Sequence, residues 1–157
     1  MHVQKKHKRI LLFEEDFESM YDLKEHLEED IGWDVELTAD RSLLERLRHE
    51  RFDLIVVDLM IRPTSLDAEG REVQNVHFDG VNWHKTGLEF LRRLRKGEFS
   101  QKPDLGTPPD VPAIILSAVA GYSVTDELGE DVRFNGYLEK PFRLDELIEK
   151  IHELLQE

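Results

Sequence analysis

Short apolar runs along the chain alternate with longer amphipathic segments. The runs predict five strands, at 9–13, 33–38, 53–58, 111–118 and 136–140. Between and after them, apolar residues recur every three or four positions, which predicts helices at 18–30, 42–51, 87–97 and 143–156. Strands that alternate with helices form a parallel sheet with helices on both faces. The pattern therefore predicts an α/β fold built on a doubly wound, five-stranded parallel sheet.

Three segments lack a clear hydrophobic period. Residues 62–86 follow the third predicted strand and are predicted to be an inserted loop. Residues 98–110 contain three prolines and one glycine, which is typical of a loop. Residues 121–135 are polar and carry no apolar stripe, so their structure stays ambiguous between a short helix and irregular chain.

Composition narrows the class of protein. The chain has 157 residues, which predicts one domain over 1–157, with residues 1–8 as a lead-in to the first strand. Its formal net charge of −13 argues against nucleic-acid binding, which needs an excess of Lys and Arg. There is no cysteine, no apolar run near the ~20 residues of a membrane span and no signal-peptide core. We expect a cytoplasmic protein without membrane association.

Polar side chains follow four of the predicted strands. In parallel α/β sheets, ligands bind beyond the carboxyl ends of the strands, so these groups meet at one edge. A carboxylate cluster there needs a cation, and a hard divalent ion such as Mg²⁺ suits oxygen ligands. The groups at this edge are Glu14, Glu15, Asp16, Asp58, Ser117 and Lys140.

Four motifs in a fixed order point to a known family. An acid pair follows the first strand, DLM stands at 58–60, SA at 117–118 and YLEKPF at 137–142. In this order, and over roughly residues 8–156, the sequence resembles the receiver domain of two-component response regulators. The resemblance implies a flavodoxin-like, three-layer fold with strand order 2-1-3-4-5. It implies a signalling domain that accepts a phosphoryl group and is not an enzyme. The only catalysis implied is the domain's own phosphotransfer and dephosphorylation.

The same resemblance implies roles for individual residues. Asp58 would accept a phosphoryl group from a sensor histidine kinase or a phosphotransfer protein. The acid pair, Asp58 and the backbone carbonyl of Met60 would hold Mg²⁺. Ser117 and Lys140 would contact phosphoryl oxygens, and the Lys140–Pro141 peptide bond would be cis. Ser117 and Tyr137 would form a switch that changes the binding of an unknown downstream protein.

The identity of the acid pair stays open by one residue. If the first strand aligns with the family without a gap, the pair is Glu14 and Glu15. If the following helix aligns without a gap, the pair is Glu15 and Asp16, which leaves Glu14 in a costly buried position. We favour Glu15 and Asp16 as metal ligands, because the family usually has an aspartate at the second position.

The inserted loop is the main departure from the family pattern. It is either a mobile lid or a partner-binding flap over Asp58, since loops of this length are usually functional or disordered. Its notable side chains are His77, Phe78, Trp83 and His84.

Three functions compete. The first is a stand-alone receiver controlled by phosphorylation, since the sequence ends after the last predicted helix. The second is a pseudo-receiver, an interaction module that works without phosphorylation. The third is an enzyme of the same architecture. A phosphohydrolase would need a second acid where Met60 stands, and a flavin-binding loop would not be as acidic as EEDFES, so both enzymes are disfavoured.

Overall fold

The computed structural model describes residues 7–100, 106–118 and 132–155. Its main sheet has five parallel strands: β1 (Arg9–Phe13), β2 (Asp34–Leu37), β3 (Leu54–Asp58), β6 (Ala113–Ser117) and β7 (Gly136–Glu139). In space they lie in the order β2–β1–β3–β6–β7. Because β4 and β5 form a separate sheet, this is the predicted order 2-1-3-4-5 of a flavodoxin-like sheet, and the predicted fold class is confirmed.

Helices cover both faces because side chains alternate between the faces along each strand. Ile10 and Leu12 of β1 pack on one face with α1 (Phe17–Glu25) and α4 (Leu144–Leu155). Leu11 and Phe13 pack on the other face with α2 (Leu43–Arg46) and α3 (Thr86–Arg95). The result is the three-layer arrangement that the sequence predicts. No helix in the described ranges is long and apolar enough to cross a membrane.

Two predicted helices differ in detail from the structure. The chain after α1 continues as a wider helical turn, His26–Ile31, and stops at Gly32 with a φ of 87°. The helix predicted over 42–51 is only α2, four residues long. Beyond it the chain continues in tighter, 3₁₀-type turns, in which Arg48 N donates to Glu45 O at 3.1 Å and His49 N to Arg46 O at 3.0 Å. The carbonyl of Leu47 then accepts a hydrogen bond of 2.9 Å from the backbone N–H of Thr107.

The predicted loop at 62–86 contains an antiparallel hairpin. Its strands are β4 (Thr64–Leu66) and β5 (Glu72–Gln74). Each has three residues and is mostly exposed, so it carries no apolar pattern that a sequence could reveal. The last residue of β5 and Val76, two residues beyond it, join the loop after β2 through their backbones, with Arg41 N to Gln74 O at 3.0 Å and Val76 N to Ala39 O at 2.8 Å.

The chain after the hairpin returns to the core. Val76 is buried, Phe78 is 5% exposed, and the 3₁₀ turn Trp83–Lys85 leads into α3. The hairpin is therefore tied to the body at its base. Most of the ambiguous segment at 121–135 lies outside the described residues, as does most of the lead-in at 1–8.

Candidate functional site

The central strands deliver two buried carboxylates to the same edge. Phe13 and Val57 are partners in the pairing of β1 with β3, so the next residues, Glu14 and Asp58, lie side by side. Each is 3% exposed. Glu14 stands one residue beyond its strand, where the carboxylate Oε1 accepts backbone N–H bonds from Glu15 at 2.9 Å and Asp16 at 3.1 Å.

Lys140 supplies a positive charge to this carboxylate pair. Its Nζ donates to Asp58 Oδ2 at 2.5 Å and lies 3.5 Å from Glu14 Oε2. The residue follows β7, and the Lys140–Pro141 peptide bond is cis. The other oxygen of Asp58, Oδ1, accepts from the backbone N–H of Met60 at 2.9 Å. Both oxygens of Asp58 are thus fixed by neighbours at the strand ends.

The electrostatics follow from burial and from the short distances. Burial is the largest effect on Glu14 and raises its pKa from 4.5 to about 9, together with a hydrogen bond to Asp58 and repulsion by it. Lys140 opposes this shift. Burial lowers the pKa of Lys140, but hydrogen bonding and attraction to Asp58 and Glu14 outweigh it and hold the pKa above its usual value. Burial and Asp58 thus make Glu14 bind a proton more readily than an exposed glutamate does.

The other two acids after β1 point elsewhere. Glu15 Oε1 accepts from Arg62 Nε at 2.6 Å, and its Oε2 accepts from Arg62 N at 3.0 Å and Asn75 Nδ2 at 3.2 Å. Asp16 is exposed and caps α1 by accepting from Ser19 N at 3.3 Å. The structure thus brings Glu14 against Asp58, and not the favoured pair of Glu15 and Asp16. Arg62 and Asn75 were not among the residues that sequence analysis singled out.

The two predicted switch residues lie on neighbouring strands. Ser117 ends β6, is buried and accepts the backbone N–H of Lys140 at its carbonyl, at 2.7 Å. Tyr137 of β7 is half-buried and has a side-chain hydrogen bond with Ser117. Burial and the charge of Glu139 raise the pKa of Tyr137, and the bond to Ser117 opposes that shift. Ser117, Lys140 and Asp58 therefore meet at one edge, as predicted from the strand ends.

A glycine brings α3 close to the end of β3. The N–H of Gly87 donates to the carbonyl of Leu59 at 2.9 Å, and Thr86 Oγ1 donates to the carbonyl of Ile61 at 3.3 Å. A Cβ on Gly87 would lie 2.1 Å from the backbone oxygen of Asp58. Only glycine permits this approach, so Gly87 helps to set the position of Asp58. The sequence pattern indicated Gly87 only as the start of a helix.

A cleft of about 940 Å³ opens over Asp58 and Lys140. One wall is the start of α1, and the opposite wall is the β4–β5 hairpin. The hairpin residues that line the cleft are Thr64, Ser65, Leu66, Asp67, Ala68 and Glu72. The inserted segment therefore forms part of the site, and Trp83 lines the cleft beside it.

The donors in the cleft suit a hard divalent cation. Glu14 and Asp58 offer carboxylate oxygens, and Met60 also lines the cleft. Burial, and then the neighbouring Asp58, raise the pKa of Glu14, and a bound cation would favour its charged form instead. Across the described ranges, no three His, Asp or Glu side chains form a ready metal cage. Magnesium commonly uses one or two carboxylates, with water or phosphate for the rest.

One curated protein is similar to nearly the whole of this chain. No family model matches the sequence. The chain is 30% identical over 150 residues to the response regulator MprA of Mycolicibacterium vanbaalenii. That match covers 94% of this chain and 50% of MprA, so the chain spans about half the length of this curated relative.

Solved structures share the fold over nearly the whole chain. The receiver domain of the Francisella response regulator 1452 has a TM-score of 0.64 and 24% identity, covering 95% of this chain and 97% of that one. The receiver domain of the sensor histidine kinase PA1611 from Pseudomonas aeruginosa PAO1 has a TM-score of 0.59 and 22% identity, covering 97% and 100%. That domain was solved with a magnesium ion in its active site cleft. The resemblance to response regulator receiver domains is confirmed.

Proposed function

We propose that the chain is a receiver whose Asp58 accepts a phosphoryl group. The observation that carries the proposal is Lys140 Nζ, 2.5 Å from a buried Asp58 carboxylate that also faces Glu14. In the reaction, an oxygen of Asp58 bonds to phosphorus while the bond from phosphorus to a donor histidine nitrogen breaks. The electron pair of that bond stays on the imidazole, which leaves the phosphoryl group on the carboxylate.

The surrounding residues would bind and orient the phosphoryl group. Lys140 would move from Asp58 to a phosphoryl oxygen, and Ser117 would donate its hydroxyl to another. We propose that Mg²⁺ is held by Glu14, Asp58 and the Met60 carbonyl. Glu15 and Asp16 would lie near the metal without coordinating it. The bound ion would neutralise charge on the transferring group.

The downstream effect would pass through the edge strand. The hydroxyl of Ser117, once drawn to a phosphoryl oxygen, would leave its bond with Tyr137. The Tyr137 side chain, released from Ser117, would then alter the binding of a downstream protein. We propose a sensor histidine kinase or a phosphotransfer protein as donor and the cytoplasm as the compartment.

The test is phosphorylation by a small donor. The protein is incubated with acetyl phosphate, with and without Mg²⁺, and its intact mass is measured. We expect a gain of one phosphoryl group that needs Mg²⁺ and is absent from Asp58→Asn. Asp79→Asn is the matched control, because Asp79 is exposed and does not line the cleft. A gain in Asp58→Asn would refute the assignment of the acceptor.

A second candidate, the pseudo-receiver, rests on the charges within the cleft. Lys140 faces Asp58 and Arg62 faces Glu15, so two of the acids in the cleft are already paired without any bound cation. A module that acts only by binding a partner would need no cation at this site. No mass gain and no Mg²⁺ binding by the folded protein would favour this candidate over the receiver.

A further inference from the structure

The inserted segment is joined to the site through Glu15. This carboxylate is only 8% exposed, yet its nearest charge is Arg62, which comes from the start of the insertion. Arg62 donates both its backbone N–H and its Nε to Glu15. A carboxylate held by two donors of one residue is fixed in orientation as well as in distance.

Asn75 holds the same point from the other side of the hairpin, one residue after β5. It is 4% exposed, and its Nδ2 lies 2.9 Å from the carbonyl of Arg62, 3.0 Å from Ser65 Oγ and 3.2 Å from Glu15 Oε2. Its backbone N–H donates to the carbonyl of Pro63 at 2.8 Å. One buried amide thus closes the base of the hairpin and contacts the acid.

The backbone of Glu15 connects this anchor to Glu14. The Glu15 side chain faces Arg62 and Asn75, while its N–H donates to the Glu14 carboxylate at 2.9 Å. The N–H of Asp16 donates to the same Glu14 oxygen. A shift of Glu15 would therefore move both backbone donors that orient Glu14 against Asp58.

We propose that Arg62 and Asn75 are positioning residues that act through Glu15 on Glu14. The insertion then serves the phosphoryl site as a brace for the turn between β1 and α1. Glu15 is the attachment point of this brace and not a ligand of the metal. The inference rests on the proposed function for its effect on Mg²⁺, but its effect on the turn does not need the metal.

The first test measures Mg²⁺ affinity and phosphorylation by acetyl phosphate in three variants. We expect Arg62→Met and Asn75→Ala to weaken apparent Mg²⁺ affinity about tenfold, as loss of a residue behind a metal ligand typically does. Arg71→Met is the control, because Arg71 is 75% exposed and its side chain pairs with Asp67 and Glu69 of the hairpin turn. We expect less than a twofold change there.

A double-mutant cycle separates this role from a merely structural one. If Arg62 acts through Glu15, then Arg62→Met should have little further effect on Mg²⁺ affinity in a Glu15→Gln background. Melting temperatures of all variants show whether lost affinity follows lost stability. Tighter Mg²⁺ binding by Arg62→Met would overturn the proposal, because it would show that Glu15 is a ligand masked by the arginine.

A metal-free measurement keeps the inference testable if the proposed function fails. Hydrogen exchange at the amides of Glu15 and Asp16 reports the two bonds to Glu14. We expect exchange to speed up at both amides in Arg62→Met and Asn75→Ala, and to stay unchanged in Arg71→Met. Wild-type protein that binds no Mg²⁺ would refute the proposed function alone. Unchanged exchange in the first two variants would refute the brace.

Discussion

The buried Glu14 predicts an unusual dependence of stability on pH. Its pKa rises from 4.5 to about 9 on folding, first because of burial and then because of Asp58. A group with a raised folded pKa stabilises the native state fully below its unfolded pKa, and this contribution is lost as pH rises towards the folded pKa. Metal-free protein should therefore lose stability between about pH 4.5 and pH 9 through Glu14.

The size of the effect follows from the number of protons bound. Over most of this range, the folded state holds one proton on Glu14 that the unfolded state does not. Each pH unit then lowers the free energy of unfolding by about 1.4 kcal/mol. The Glu14 side chain is 4% exposed, so solvent screening reduces this little. Glu14→Gln removes the group, and its stability should lack this slope.

The assay is urea denaturation at pH 6, 7 and 8 in buffer that contains a chelator. The measured quantity is the difference in unfolding free energy between wild type and Glu14→Gln, because other titrating groups largely cancel in it. We expect wild type to lose about 3 kcal/mol relative to the variant between pH 6 and pH 8. A difference that stays constant with pH would refute the argument that Glu14 is protonated in the folded state.

Two further predictions concern the scaffold, the first beside the site and the second at the opposite edge of the sheet, where Glu50 pairs with Arg9 at the start of β1. Gly87→Ala would bring a Cβ to 2.1 Å from the Asp58 carbonyl oxygen, so α3 must move. We expect the free energy of unfolding, measured by denaturation, to fall by about 2 kcal/mol or more. An unchanged denaturation midpoint would contradict the close approach. Glu50 has its pKa lowered to about 2, chiefly by its hydrogen bond from Arg46. Its contribution to stability is present above its ordinary pKa of 4.5 and is lost as pH falls towards 2. Glu50→Gln should therefore lower the free energy of unfolding by about 1 kcal/mol at pH 7, after allowance for solvent screening. The difference between the variant and wild type should shrink below pH 4.5. A difference that grows in acid would contradict this prediction.

The sheet could be predicted because its determinants are local in the sequence. Four or five apolar residues in a row identify a buried strand, and the recurrence of leucine identifies a covering helix. The elements that escaped prediction depend on distant partners. Helix α2 passes early into 3₁₀-type turns, and just beyond it the carbonyl of Leu47 accepts from Thr107, some sixty positions away. The β4–β5 hairpin is held at its base by Asn75 and by the loop after β2, and its own residues show no pattern.

The same distinction holds within the site. Asp58, Ser117 and Lys140 meet because parallel strands end at one edge, which a sequence reveals once the strands are known. The direction of three consecutive acids is not fixed in that way. Glu15 turns towards Arg62 and Asn75, Asp16 turns to cap α1, and Glu14 is left facing Asp58. Each outcome depends on side chains that lie 47 or 60 positions away, or on the geometry of a helix end.

The presence of Glu14 weighs on the choice between the two proposed functions. A fold that needed only stability would gain from an apolar side chain at this buried position, since replacing buried ionisable groups with apolar ones is often neutral or stabilising. Glu14 instead is a buried carboxyl group whose pKa is raised by burial and by Asp58, and two backbone donors orient it. A pseudo-receiver has no use for this arrangement, whereas a cation bound beside Asp58 would displace the proton and relieve the strain between the two carboxylates. The cost of keeping Glu14 therefore favours the receiver, and the pH dependence of the difference between wild type and Glu14→Gln should disappear when saturating Mg²⁺ replaces the chelator.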